Sequence, residues 1–261
     1  MAFATLNLRK LLALVLLTAT AVLCISLGRW QLHRAAEREG IAQAIEAGRA
    51  AAPLTLQHDT PAAQLQEWRP ASAHGVWLEN FSVLLDNRNL DGRPGLWLAT
   101  PLRLSDTPDT TLLVLRGWLP RPIGASPAAL PPPAQGEQQL SGQLRTHVPQ
   151  LFELWQRNGQ DSSALPSSWQ AGQPPLVQNL DLKRYAQATG LKLLPVVLEQ
   201  TGGAPPDDSL RRDWAVPSLD ADKNRGYALQ WFGFAAIAGG AALLLLWRAL
   251  RPRKRADKER G

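Results

Sequence analysis

Four histidines, one cysteine and a scatter of carboxylates are the side chains here whose chemistry suits a catalytic or metal site, and their spacing builds neither. His33, His58, His74 and His147 stand far apart, each reading as a surface or hydrogen-bonded histidine. The one thiol, Cys24, lies inside an apolar run. It excludes an internal disulfide, and a four-thiolate zinc or iron–sulfur site would need other chains. Copper carriage normally uses soft thiolate or thioether ligands, and here the one thiol is in that run and the one methionine is Met1. No GxSxG, HExxH or glycine-rich phosphate loop occurs. Glu37, Glu39, Asp207 and Asp208 sit in polar contexts that read as solvated. No nucleophile–base set is legible; spacing alone leaves a paired-carboxylate hydrolase open, nothing favours one, and the expectation is a protein that is not an enzyme.

Two short clusters remain. One is Gly28, Arg29, Trp30, Gln31, His33 and Arg34; the other is Asn224, Arg225, Gly226, Tyr227, Gln230 and Trp231. Trp30, Tyr227 and Trp231 need no more than an aromatic belt at a membrane boundary, with arginines reaching toward the headgroups. Gln230 asks for more. An unsatisfied amide facing lipid costs about 2 kcal/mol or more, so it should face a second helix or a partner. Tyr227 and Trp231 are four apart and share a helix face. Gly233, Gly239 and Gly240 thin that helix and permit close packing against another.

The elements that must position these clusters are two apolar stretches. Leu11 to Leu27 and Tyr227 to Trp247 are free of charged residues. A helix rises ~1.5 Å per residue, so about 20 apolar residues cross a hydrocarbon core of ~30 Å. The second stretch suffices alone, and the first does so by running on through Trp30. A cleaved signal peptide is the alternative for the first, which has Arg9 and Lys10 before it. Its length, the absence of a small-x-small pair before a polar start, and the bulky Leu23 before Cys24 favour an uncleaved helix.

Charge gives the orientation. Residues 1–10 carry two basic and no acidic side chains, and residues 248–261 carry seven basic and two acidic. Residues 28–226 carry 19 basic and 20 acidic side chains. Basic ends and a balanced middle put both termini in the cytoplasm and the middle outside. The net charge of +6 over 261 residues and the pI near 10.0 therefore report a tail past a membrane span. Anionic lipid headgroups explain that tail, and a nucleic-acid partner is not expected. The expected segments are 1–10 cytoplasmic, 11–30 transmembrane, 31–226 external, 227–247 transmembrane and 248–261 a basic cytoplasmic tail.

In the middle, the first helix reads as continuing to about Ala47, with Gly48 as its stop. Residues 75–88, 95–104 and 111–121 read as three strands separated by turns, an antiparallel meander. Residues 138–148 make a fourth strand and 191–200 a fifth, with a short helix between them started by Asp181 and ended by Gly190. Residues 120–137 and 157–175 read as loops. The expected fold is two transmembrane helices flanking a mainly antiparallel β (α+β) extracytoplasmic domain, a small barrel or sandwich.

LGRWQLHR at 27–34 resembles the LGxWQxxR signature of the surfeit-locus-protein-one family, the cytochrome c oxidase assembly factors. LLDNR at 84–88, GLWLATPLRL at 95–104, LVLRGWLPR at 113–121 and GYALQWFGFA at 226–235 continue the resemblance in order. It covers most of residues 11–250. The resemblance implies assistance to maturation of the oxidase large subunit at its haem a site. No cofactor is then tightly required, haem a being held only in transit. The implied partners are the oxidase large subunit, haem a biosynthesis enzymes and membrane lipids. The implied location is a bacterial inner membrane, with the bulk of the chain periplasmic; a mitochondrial inner membrane is the alternative, for which the N-terminus shows no Arg/Ser-rich transit segment. The implied haem- or partner-binding residues are Trp30, Gln31, His33, Arg34, Asn224, Tyr227, Gln230 and Trp231, with Arg29, Arg34 or Arg225 pairing haem propionates.

The sequence departs from the family at one point. Members commonly carry a histidine three residues before the Tyr of the YAxQWF motif, a candidate haem ligand; here that position is Asn224. Imidazole is a common axial ligand and an amide a poor one. His33, at the outer end of the first helix, is the alternative ligand. A member that scaffolds the oxidase subunit without ligating iron is the other outcome. A generic membrane-tethered envelope binding or structural module is the rival reading.

Overall fold

A computed structural model describes residues 7–107, 109–121, 130–131, 135–151, 164–166, 173–203, 205, 208–214, 216–217 and 219–251. Most of the loop expected at 120–137 and most of that at 157–175 lie outside these residues. The chain divides into two compact units, one of Met1–Ala42 with Ser218–Gly261 and one of Gln43–Pro217.

The first unit is built on two helices, α1 (Leu8–Ala50) and α3 (Ala221–Leu250), the last turns of α1 belonging to the second unit. Both are long and apolar enough to cross a membrane. The expected stop at Gly48 does not occur. α1 runs two residues further, and Gly48 is instead buried where a Cβ would stand 2.3 Å from the Glu67 carbonyl oxygen. That glycine serves close packing inside the second unit and not chain termination.

The second unit is a small closed barrel. Its strands are β1 (Leu54–Thr55), β2 (Pro70–Trp77), β3 (Val83–Leu90), β4 (Arg93–Leu104), β5 (Thr110–Pro120), β6 (Glu137–Arg145), β7 (Leu176–Val177) and β8 (Lys192–Gly202). Hydrogen bonding runs β2–β6–β8–β5–β4 and returns from β4 to β2, closing a five-stranded ring. All ring pairings are antiparallel except β5 with β8. Closure rests on the length of β4: its first half pairs with β3, and its last residues pair with Gly75, Val76 and Trp77 of β2. The stretch 75–88 expected as one strand is therefore two. A 3₁₀ turn at Glu79–Phe81 separates β2 from β3, and Trp77 and Leu85 join different core clusters. The meander β3–β4–β5, the strands at β6 and β8 and the intervening helix stand where the sequence put them. The two-residue strands β1 and β7 are too short to leave a pattern.

The barrel interior is filled by Ala73, Leu102, Leu112, Val114, Leu140, Leu144 and Leu198 among others. A second cluster of Val83, Leu85, Leu113, Leu115, Val197 and Tyr185 lies on the opposite strand faces. β5 is thus buried on both faces, which is why it reads as an unbroken apolar run. The helix α2 (Leu182–Thr189) starts at Asp181, whose Oδ1 accepts from the Lys183 and Arg184 amides at 3.0 and 2.9 Å. It ends at Gly190, whose φ of 71° is left-handed. Tyr185 of α2 is fully buried. Burial raises its phenol above the ordinary range, and the hydroxyl donates to the Phe81 carbonyl at 2.5 Å.

Candidate functional site

α1 and α3 bury one edge each. The shielded positions on α1 include Leu14, Leu17, Ala21, Cys24, Gly28, Gln31, Ala35, Arg38 and Ala42. On α3 they include Ala221, Asn224, Ala228, Trp231, Ala235, Ala238 and Ala242. Both sets alternate steps of three and four, the seam of a helix pair with a seven-residue repeat. Alanine, glycine and cysteine dominate it, so the backbones approach closely. Gly28 faces Phe232, Gln31 faces Asn224 and Arg38 faces Asp220. The partner number falls as the α1 number rises, so the helices are antiparallel.

The tight point of the seam is Gly28, where an added Cβ would lie 2.7 Å from Phe232 Cε1. Gly233, Gly239 and Gly240 do not serve this packing; a Cβ on any of them would meet nothing within 4 Å. The glycines of α3 face outward, and the small residues that let α1 in are its alanines. We expect Gly28→Leu to separate the helix pair, and Phe232→Ala added to it to restore pairing. Disulfide crosslinking between cysteines placed at 31 and 224, the native Cys24 replaced by Ala, reads the outcome.

The antiparallel arrangement brings the two boundary clusters to one place. Trp30, Gln31, Arg34, Arg38, Lys223, Asn224 and Tyr227 line an open groove of about 470 Å³. Its floor is an amide pair, Asn224 Nδ2 donating to Gln31 Oε1 at 2.6 Å. Trp30 and Tyr227 are its aromatic walls, each more than half exposed. Its cations are held loosely. Arg34 meets Glu37 at 2.9 Å, Arg38 donates to the Asp220 carbonyl at 2.8 Å and Lys223 meets the Asp220 carboxylate at 2.8 Å. Hydrogen bonds from Lys223 to the Asp220 carboxylate pull that carboxyl below its ordinary range. Beside the groove Arg225 pairs with Glu39 and, at 3.2 Å, with Asp222.

Five of the eight residues singled out from the sequence line this groove: Trp30, Gln31, Arg34, Asn224 and Tyr227. His33 does not. Its side chain is 75% exposed and its Nε2 lies 3.3 Å from Glu37 Oε1 of the same helix. Gln230 is exposed on α3, turned away from α1, so helix packing does not satisfy its amide. Trp231 lies on the seam with its ring edge-on to Phe234 at 6.0 Å. Arg38 and Lys223 were missed. The signal was there: Arg38 is seven residues beyond Gln31, and Lys223 four before Tyr227, spacings that keep them on the groove face.

The groove fits carboxylates and does not fit iron. Among the described residues no histidine lines it, and the Asn224 amide is engaged by Gln31. What it offers an acid group is three cations, two of which, Arg34 and Lys223, sit in exposed pairs that exchange partners at little cost.

The other shared motifs build the barrel. The β3 motif carries Arg88, 4% exposed, whose guanidinium stacks on Trp97 of β4 at 4.6 Å and donates to the Gln178 carbonyl at 2.9 Å. Burial pushes its pKa down to about 10. The β5 motif places Arg116 at a register shift against β4, an extra residue in the strand. Trp118 follows, its Nε1 donating to the Arg88 carbonyl at 2.7 Å. Gly95 of β4 lies under that indole, where a Cβ would come within 2.1 Å of Nε1. Three motifs distant in sequence thus meet at one knot of arginine, tryptophan and glycine.

Asp208, read as solvated, instead has its side chain only 3% exposed, with its carboxylate 2.5 Å from Arg212 Nη2. Glu39 is half-shielded and paired to Arg225; Asp207 lies outside the described residues. His58, Asp59 and Asp106 bring ligand-type atoms within 4.8 Å of one another at exposed turns. There Asp106 Oδ2 accepts from the His58 amide and lies 2.8 Å from its ring Nδ1, a clamp between the turn after β1 and the β4–β5 turn.

Residues 18–236 match the SURF1 family. A SURF1-like protein of Monosiga brevicollis is 22% identical over 245 residues, covering 90% of this chain and 86% of that protein. The matched region takes in the helix-pair seam, the groove and the whole barrel. The chain therefore belongs to the SURF1 family, whose role is cytochrome c oxidase assembly.

Proposed function

We propose that this protein assists maturation of the haem a site of the oxidase large subunit, from a bacterial inner membrane and with the bulk of its chain periplasmic. The observation that carries the reading is the groove between α1 and α3. Its lining includes residues of both helix motifs that carry the family resemblance, and it combines aromatic walls with cations just past the apolar stretch of α1 and in the first turns of α3. That combination suits a flat amphipathic acid or the exposed edge of a partner subunit. The basic tail, the basic N-terminus and the balanced middle support the orientation. The oxidase large subunit is the partner proposed for the helix pair, with membrane lipid around it and haem a biosynthesis enzymes upstream.

Deletion of the gene is expected to lower oxidase activity together with haem a content, sparing respiratory enzymes that contain no haem a. A deletion strain with normal haem a per large subunit would overturn the proposal. Copurification with unrelated envelope proteins and no oxidase subunit would favour a generic tethering module instead.

A further inference from the structure

We infer that the groove recognises a tetrapyrrole by its carboxylate edge, with no bond from this chain to the metal; the inference rests on the function proposed above and specifies how its ligand is held. Three observations converge. The position where an imidazole would be expected carries Asn224, and its amide is spent on Gln31 at 2.6 Å. His33, the histidine closest in sequence to the groove residues, has its side chain 75% exposed and directed to Glu37 along its own helix. The lining offers instead Arg34, Arg38 and Lys223, with Trp30 and Tyr227 as flat apolar walls.

These cations retain donors for an incoming acid. Arg38 uses one Nη on the Asp220 carbonyl, and a guanidinium carries five N–H groups. Lys223 has three N–H groups and meets only Asp220 at 2.8 Å. A ligand carboxylate can therefore add to Arg38 and replace Asp220 on Lys223 without leaving a buried charge unpaired. Indole and phenol rings stack on a macrocycle whether or not a metal sits in it. Affinity should then follow the acid groups and ignore the iron. Handover is eased, since nothing must leave the metal before the receiving subunit supplies its own ligand.

The test uses the purified full-length protein in detergent micelles. Binding of haem and of metal-free protoporphyrin IX is followed by quenching of intrinsic tryptophan fluorescence, with the Soret spectrum recorded for haem. Dissociation constants within about threefold of each other are expected. The Arg38→Gln, Lys223→Gln double variant should weaken both porphyrins by tenfold or more, and His33→Ala should change neither. Asn224→His should strengthen haem alone and shift its Soret band, because it supplies the missing imidazole. An unaltered far-ultraviolet circular dichroism spectrum keeps each variant interpretable. Haem binding at least tenfold tighter than the metal-free porphyrin in the natural sequence overturns the inference and leaves the assembly role standing. Binding of neither porphyrin overturns it too, whereas the assembly role falls only with normal haem a in the deletion strain.

Discussion

Gly75→Ala is expected to open the barrel. β2 bonds to β6 and β4 at this residue, facing Gln138 on one side and Leu104 on the other. An added Cβ would stand 2.1 Å from the Arg103 carbonyl oxygen and 2.9 Å from its carbon. Both are backbone atoms, held by the ladder that the substitution must break, so no side chain can swing away. The expected destabilisation is about 3 kcal/mol or more, in the range reserved for disruption of buried backbone. Urea unfolding followed by tryptophan fluorescence measures it. Gly40→Ala is the control: a Cβ there meets nothing within 4 Å, and alanine favours the helix by about 1 kcal/mol. Equal midpoints for the two variants would contradict the closed ring.

Arg145→Met is expected to cost about as much, for an electrostatic reason. Arg145 lies with its guanidinium 3.7 Å over the Trp68 ring, 3.3 Å from Glu67 and 3.7 Å from Glu199. Glu199 is 3% exposed and also accepts from Gln143 Nε2 at 2.8 Å. Burial raises the Glu199 carboxyl above the usual range, and Arg145 opposes the rise. Removing the arginine leaves a buried carboxylate without its counter-charge, a loss of about 3 to 5 kcal/mol. The pH dependence has a definite sign. A carboxyl with a raised folded-state pKa binds protons more tightly when folded, so its contribution is best below its unfolded pKa and is lost as pH rises through the folded value. Arg145→Met raises that folded value further. Its deficit should therefore be smaller at pH 5 than at pH 8, and Glu199→Gln in the same chain should recover much of the loss at pH 8. A deficit that does not change with pH would locate the cost in lost packing on Trp68.

How much of this could be read beforehand depended on the kind of contact. The apolar runs, the turn residues and the Asp181 and Gly190 caps act locally, so helices and most strands were visible in the residues that form them. Closure was visible only as one of two outcomes, a small barrel or a sandwich, because the return of β4 to β2 depends on a 3₁₀ turn within a stretch of continuous β character. Asp208 looked solvated because its partner Arg212 is four residues away on an irregular segment, where spacing carries no facial meaning. The groove was half legible. Trp30, Gln31, Asn224 and Tyr227 belong to recognisable motifs, whereas Arg38 and Lys223 join only once the antiparallel register is known. The α3 glycines, expected to admit a helix of this chain or of another, do not lie against α1, for a related reason: a small residue permits close approach on whichever face it lies, and only the seam decides which face is used within the chain.

The groove between the two helices is proposed to serve maturation of the oxidase at its haem a site. Haem a per large subunit, measured in membranes of the deletion strain complemented with the Arg38→Gln, Lys223→Gln chain, tests it most directly. Occupancy near that of the uncomplemented deletion is expected at equal levels of the variant protein, with full recovery by a His33→Ala chain. Full recovery by the groove variant would contradict it.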